Sequence, residues 1–504
     1  MVQIHLKKAG SFTCLFFWCL SALATPPETA AKDNLWKFDP ELQKVHTLIL
    51  NLQTDQALTI LTTNTKSNEF HRMYLQSLGE TIEVLISEDQ RKFEIIDERF
   101  KQRIKKLEDL PKRPEALFLL AELHLQRGFN FLNLGKEMEA VFAIRKANQL
   151  SQTCLKEFPD FIPVLKTHGV IQVMIGSVPD KYHFFMSLLG MRGSVTTGQQ
   201  HLLKLRESTS SLSMEASVLY FTIKGLINQQ HGEASKGLTD MLTDQPNNRL
   251  LLFLAINMMV KNTQSEDALR LIQQLDQNNH GIPMYYLEYL RGEILLQKQE
   301  YKSSILAFQK FISTYKSQNF KKDSYFKISL AYFLQNDLVE ARRFFEKAKV
   351  TGRDVAEPDK YAARQLEEGF FPNAKLLKAR FATDGGYFSQ AYSLLKSVEP
   401  TDLRNGKEIA EYIYRQARLA HKTNDIQSAK LYYREAIKLT GQNPWYFGAN
   451  SALNMGYIAR DQKDYPEARR YFEMVLSFKK HEYKNSLDGK ARSALEELPA
   501  KKSS

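Results

Sequence analysis

Cysteine is almost absent from these 504 residues: Cys14, Cys19 and Cys154 are the whole supply. The first two fall in an N-terminal segment that reads as cleaved, so Cys154 stands alone. No intramolecular disulfide and no cysteine-rich metal site can be built from it. Its neighbours in SQTCLKEF place it as a half-buried helical thiol. Glycine (23) and proline (16) both fall below their ordinary usage of about 7 % and 5 %. No stretch alternates apolar and polar residues for long enough to make a strand. The eleven histidines are scattered, with no H-x-x-x-H pair at zinc spacing. There is no G-x-S-x-G elbow and no phosphate loop, and Gly190, Gly193 and Gly198 have neither spacing. Paired acids such as Glu367-Glu368 and Glu496-Glu497 are sequence neighbours on helices and do not converge on one substrate. These absences leave no catalytic residue, no cofactor site and no metal site to nominate.

What is present is helical periodicity with recurring small residues. Within Ala449 to Lys479, Gly456 and Ala468 sit where two antiparallel helices must approach closely, and Tyr465 and Phe472 fill the space beside them. Asp464 can cap the second helix, and Pro466 lies in its first turn, where a missing N–H costs nothing. Looser copies lie upstream: Ala417, Ala429, Tyr433 and Ala436; Ala379, Gly386, Ala391 and Leu395; Ser329, Tyr332, Ala341, Phe345 and Ala348; Gly292, Ser304 and Phe308. Gly128, Phe131, Gly135, Ala140, Ile144 and Ala147 match again.

The spacing of a small residue, alanine twelve later and an aromatic four later resembles the tetratricopeptide repeat. The second small residues, at 304, 341, 391, 429 and 468, are 37, 50, 38 and 39 apart. These intervals exceed the family's period of about 34. The longest one predicts an extra helix near Asp359 to Glu368. A second resemblance covers residues 114–205. There Gly176, Pro179, Tyr182, Leu189, Gly190 and Gly193 are similar to a pattern of the tetratricopeptide 39 and inclusion-body clearance family. That resemblance implies an all-helical protein without known catalytic chemistry. The expected fold is therefore all-α, a solenoid of helical hairpins in a right-handed superhelix. Each hairpin exposes apolar surface on both sides and is stable only when stacked.

In chain order, residues 1–24 read as a secretory signal. Lys7 and Lys8 form its basic start, Phe12 to Leu23 its apolar stretch, and Ala22-Leu23-Ala24 its cleavage site. The apolar stretch is shorter than the ~20 residues of a spanning helix. Later in the chain Leu250 to Val260 comes closest to one, and reads as a buried helix. Residues 25–39 read as a flexible leader, 40–280 as degenerate helical repeats, 281–497 as the clear repeats and 498–504 as a disordered tail. Gly281-Ile282-Pro283 is a soft boundary that one solenoid crosses. Phe93, Ile96, Phe100 and Ile104 share one face of the charged segment 70–107, whose other face reads as solvated i,i+4 ion pairs. Residues 214–231 and 233–243 read as a helix pair with Gly232 between them.

The formal charge of +12 falls to +10 once Lys7 and Lys8 leave with the signal. It is a dispersed basic charge that biases toward acidic partners, and export argues against nucleic acid. Peptide-binding repeats that clamp a carboxylate use an Asn just after the small residue. Here those positions are Glu293, Leu330, Arg380, Arg418 and Tyr457, which disfavours that mode. The concave face is instead expected to present Tyr289, Phe333, Arg380, Arg418, His421, Tyr457 and Arg460, a mixture of arginine and aromatics suited to protein contact. The expected function is a non-catalytic scaffold, exported to the periplasm or envelope of a bacterial cell. It would hold an unidentified protein partner and associate peripherally with the envelope. The alternative is an envelope module that captures a glycan or peptide.

Overall fold

A computed structural model describes residues 36–178, 186–187, 189–278, 280–354 and 356–499. The signal segment 1–24, most of the leader, Pro179 and Tyr182 lie outside the described residues. Among the described residues there are 24 α-helices and no strand. The first hairpins are α1 (Pro40–Leu50) with α2 (Thr54–Thr63), α3 (Glu69–Ser87) with α4 (Gln90–Glu108), and α5 (Pro114–Asn133) with α6 (Glu137–Glu157). Next come α7 (Val164–Gly176) with α8 (Val195–Arg206), α9 (Ser213–Leu226) with α10 (His231–Met241), and α11 (Arg249–Lys261) with α12 (Ser265–Gln277). Then follow α13 (Tyr286–Gln297) with α14 (Tyr301–Thr314), and α15 (Lys321–Leu334) with α16 (Leu338–Lys349). The single helix α17 (Glu357–Glu368) occupies the longest repeat interval. The chain ends with α18 (Ala374–Gly385) and α19 (Phe388–Lys396), α20 (Gly406–Lys422) and α21 (Ile426–Thr440), α22 (Tyr446–Asp461) and α23 (Tyr465–Ser477), and a closing helix α24 (Lys484–Glu497).

One turn recurs between the helices of a hairpin. The residue after the first helix cap is left-handed at Leu52, Gly135, Thr263, Gln299, Asn336, Asn424 and Lys463, and at Gly386 the cap itself is. The next N–H then bonds back five residues, as Asp464 does to Ala459 and Asp425 to Ala420. This is a Schellman closure of the first helix. Asp337, Asp425 and Asp464 use their side chains to cap the second helix at once. The turn is therefore specified by backbone satisfaction at both ends, and glycine is not required in it.

The small residues do what their spacing predicts. Ala468, Phe472, Ala429, Tyr433, Ala341, Phe345 and Phe308 are fully buried. Ser304 and Ser329 replace alanine at no cost in unpaired polarity. The Ser304 hydroxyl donates to the Gly292 carbonyl and Ser329 to that of Ala341, each at 2.7 Å. Tyr465, expected beside them, is instead 37 % exposed at the helix start.

Four apolar clusters form the core, and the second runs through 218–381 without a break at Gly281. Successive superhelical turns touch. Ile282 N–H donates to Leu52 C=O at 2.8 Å, Asn319 Nδ2 to Glu88 Oε2 at 2.9 Å and Tyr387 Oη to Glu266 Oε1 at 2.7 Å. The Ser194 hydroxyl reaches Glu496 of α24.

Several expectations are corrected. Trp36 is fully buried among Tyr74, Phe118 and Phe161, so the leader joins the core before residue 39. Leu498, where the tail was to begin, is also buried. Gly232 lies inside α10 and not between helices. Segment 70–107 is two helices, turned at left-handed Glu88. Its polar face is partly cross-braced between helices, by Arg99 and Arg103 to Glu80 and by Arg127 to Asp97. Cys154 is fully buried, and burial pushes its thiol up to about 12.

Candidate functional site on the inner face

The first helices of the hairpins face the interior of the superhelix, and what they carry differs along its length. In the N-terminal part that interior is filled. Glu215 of α9 accepts from Tyr74 Oη of α3 at 2.7 Å and from Lys166 Nζ of α7 at 2.9 Å, and it meets His46 of α1 at 2.8 Å. Lys166 also pairs with Glu122 of α5 at 2.9 Å. All five side chains are buried. Burial alone would raise the Glu215 carboxyl, but Lys166 and His46 hold it down at about 2. The network ties five successive inner helices together, and its partners are internal.

From α13 onward the interior opens. A cavity of about 360 Å³ is lined by Lys261, Glu293, Lys327, Tyr361, Arg380 and Tyr483, among others. Arg380 Nη1 donates to Tyr361 Oη at 2.7 Å, its guanidinium lies 5.1 Å from that ring, and its Nε is 3.6 Å from Asp384. Arg418 approaches the same Asp384 at 4.0 Å. Arg415, one turn before Arg418 on α20, donates to Glu411 at 2.7 Å and to Tyr446 Oη at 3.0 Å. Tyr483 packs edge-on to Tyr446 at 5.2 Å and stacks with Tyr361 at 6.1 Å.

The seven expected contact residues divide. Arg380 and Arg418 come together around Asp384. His421 lies one turn beyond Arg418, its Nδ1 3.2 Å from Tyr433 Oη. Burial, and then Arg418 and Lys422, hold its imidazole down to about 4, so it is neutral at pH 7. Tyr457 and Arg460 form a separate pair, the guanidinium 5.0 Å from the ring and 3.6 Å from Glu497. Two expectations fail. Tyr289 is 1 % exposed, and its hydroxyl donates to Asp323 at 2.7 Å, so it is core and not surface. Phe333 is covered by Phe371, stacked at 4.5 Å and 6°. An aromatic on an inner helix has the same spacing whether it lines the interior or is covered by a loop.

Sequence reasoning missed Arg415, Lys422, Tyr361, Tyr446 and Tyr483. The signal for two of them was available: Glu411, Arg415, Arg418 and Lys422 run at i, i+4, i+7 and i+11, a single polar stripe along α20. Among the described residues no group of three or more His, Cys, Asp or Glu could hold a metal ion. No described helix is long and apolar enough to cross a membrane.

Stacked helical hairpins with small-residue contacts define a helical-repeat scaffold. Residues 414–482 match the family model described as Tetratricopeptide repeat, and the hairpins upstream repeat the same small-residue and aromatic contact. That match spans the end of α20 through α23. It lies outside residues 114–205 and leaves the finer resemblance drawn for that region untouched. No curated protein sequence matches the chain. Among solved structures, similar chains include the apo form of the quorum sensor NprR from B. thuringiensis, 12 % identical with a TM-score of 0.29, covering 80 % of this chain and 98 % of that one. The human IFIT1 dimer with m7Gppp-AAAA is 12 % identical with a TM-score of 0.36, covering 89 % and 99 %. The TPR domain of P58(IPK) is 16 % identical with a TM-score of 0.20, covering 74 % and 97 %. Likeness this distant carries no functional argument.

Proposed function

We propose that the chain is a non-catalytic scaffold, exported to the envelope of a bacterial cell, that holds a protein partner against the inner face of its C-terminal repeats. The observation that carries this reading is the convergence of Arg380, Arg415 and Arg418 with Tyr361, Tyr446 and Tyr483 beside an open cavity. Arginine and tyrosine dominate interface energetics because each combines large contact area with directed hydrogen bonds. The basic, small-residue-bounded start of the chain supports export.

The test is crosslinking of the tagged mature protein in cells, then purification and mass spectrometry, with Arg418→Ala/Tyr446→Phe as the comparison. One protein recovered in near-equal amount and lost in the variant supports the scaffold. Recovery in the soluble cytoplasmic fraction would remove the export part of the reading.

A second reading, glycan capture, has its own support on the outer surface. A groove of about 860 Å³ between α19 and α20–α21 is lined by Tyr392, Tyr412 and Tyr432 with Ser389, Ser393 and Ser428. Tyr392 is 61 % exposed there. Retention on cell-wall material that Tyr392→Ala/Tyr432→Ala abolishes, with no protein recovered, would favour it.

A further inference from the structure

The interior carries a set of cations that its own carboxylates do not neutralise. Arg418 and Lys422 stand on α20, Lys490 on α24 and Lys261 at the end of α11, with the neutral imidazole of His231 at the start of α10 near them. Lys261 lines the cavity with Arg380, Asp384 and Tyr483, Arg418 reaches that Asp384 at 4.0 Å, and Lys422 follows Arg418 by one turn of α20. Lys261, Lys422 and Lys490 have no ion-pair or hydrogen-bond partner among the described residues. The acid acting on this group is Asp384, which Arg380 and Arg418 already share. The acids of α24 are engaged elsewhere: Asp488 with Lys484 and Arg492, Glu496 with the Ser194 hydroxyl, and Glu497 with Arg460. Burial, then Arg418, holds the Lys422 ammonium down to about 8 against the pull of Asp384. Burial, then Lys261 and Arg418, does the same to Lys490. Burial, with Lys261, Lys422, Lys490 and Arg418 around it, keeps His231 at about 3. Lys261 is exposed and Lys422 and Lys490 are half-buried, so the cluster is open to solvent.

We infer that this cluster is the seat of an acidic peptide segment, whose carboxylates meet Arg418, Lys422, Lys490 and Lys261 inside the superhelix. The inference rests on the scaffold reading and names the chemistry of the partner's docking segment. Unpaired, partly desolvated ammonium groups are costly unless an anion joins them. The cations are spread over several helices, beside the tyrosines of the cavity. That spread suits spaced carboxylates on an extended chain better than one compact anion.

The experiment uses the purified full chain and fluorescein-labelled octaglutamate, read by anisotropy. Lys422→Ala/Lys490→Ala is compared with Lys302→Ala/Lys438→Ala, which removes the same charge from exposed sites on α14 and α21. The first pair should weaken binding at least about ten-fold and the second by less than about two-fold. Raising the pH from 7 to 9.5 should weaken binding to the native chain far more than to Lys422→Ala/Lys490→Ala. Equal loss in both pairs would mean attraction by net charge alone and would overturn the assignment. So would tripolyphosphate binding through Lys422 and Lys490 with octaglutamate unbound. The cell crosslink is an independent arm. A partner recovered equally by the native chain and Lys422→Ala/Lys490→Ala sinks the acidic segment and leaves the scaffold. Octaglutamate bound with no partner recovered does the reverse.

Discussion

The Phe472 ring occupies the space that a side chain at Gly456 would need: a Cβ built there would lie 2.4 Å from Phe472 Cε1. The equivalent pair upstream, Gly292 and Phe308, would meet at 2.9 Å. The aromatic of the second helix lies directly on the small residue of the first, and this contact sets how closely the two helices approach. Gly456→Ala should therefore destabilise the C-terminal hairpins by about 1–3 kcal/mol through overpacking. Gly456→Ala/Phe472→Leu should recover part of that loss. Thermal unfolding followed by circular dichroism checks both, and a double variant worse than the single would contradict the pairing.

Lys166 sits between two buried carboxylates, Glu122 and Glu215, at 2.9 Å from each. Lys166→Met keeps the volume and removes the charge. It should cost about 3–5 kcal/mol, the loss seen when one partner of a buried ion pair is deleted. The Glu215 carboxyl is held at about 2, below its unfolded value of about 4.3. Its contribution is therefore present above about pH 4.5 and is lost as the pH falls toward 2. Acid titration of the native chain should show a loss of stability in that window that is reduced in Lys166→Met.

The repeat register was legible because it rests on local spacing: Ala341, Ala429 and Ala468 are all buried at the expected contact. The extra helix was legible from an interval of 50 residues between two such alanines, and α17 fills it. The inner face was only half legible. Arg380 and Arg418 follow the small residues Ala379 and Ala417 directly, so their facing could be read from the register. Lys261 joins Arg380 and Asp384 along the cavity from a helix more than a hundred residues upstream, and no periodicity within one helix encodes that meeting. Trp36 shows the same limit. A lone tryptophan in a polar leader gives no pattern, yet it is 0 % exposed. Trp36→Ala should cost about 3–5 kcal/mol, where a flexible leader would predict no change in melting temperature.

Lys422 and Lys490 make a prediction about alkaline stability. Both ammonium groups are held at about 8 in the folded chain, below the unfolded value of about 10.4. Between those values the unfolded state binds more protons, so stability should rise as the pH goes from about 8 to 10. Lys422→Met/Lys490→Met should flatten the rise and raise the melting temperature at pH 7. Melting curves across pH 7 to 10 decide it. A native curve without the rise would mean that the two lysines are solvated and pair freely with buffer anions.

Contact between superhelical turns can be tested at one glycine against another. Gly386 has φ +85 and Gly369 φ +79, a left-handed backbone that costs a non-glycine residue about 1 kcal/mol or more. A Cβ at Gly369 would meet nothing within 4 Å, whereas one at Gly386 would lie 2.1 Å from the Thr263 carbonyl oxygen of the neighbouring turn. Beside it, Tyr387 donates to Glu266 across the same contact. Gly369→Ala should therefore cost only the backbone strain and leave the shape unchanged. Gly386→Ala must also push α18–α19 away from α11–α12, breaking the Tyr387–Glu266 bond and opening the superhelix. Small-angle X-ray scattering should show a larger radius of gyration for Gly386→Ala alone. Identical scattering from the two variants would mean that this contact does not hold the turns together.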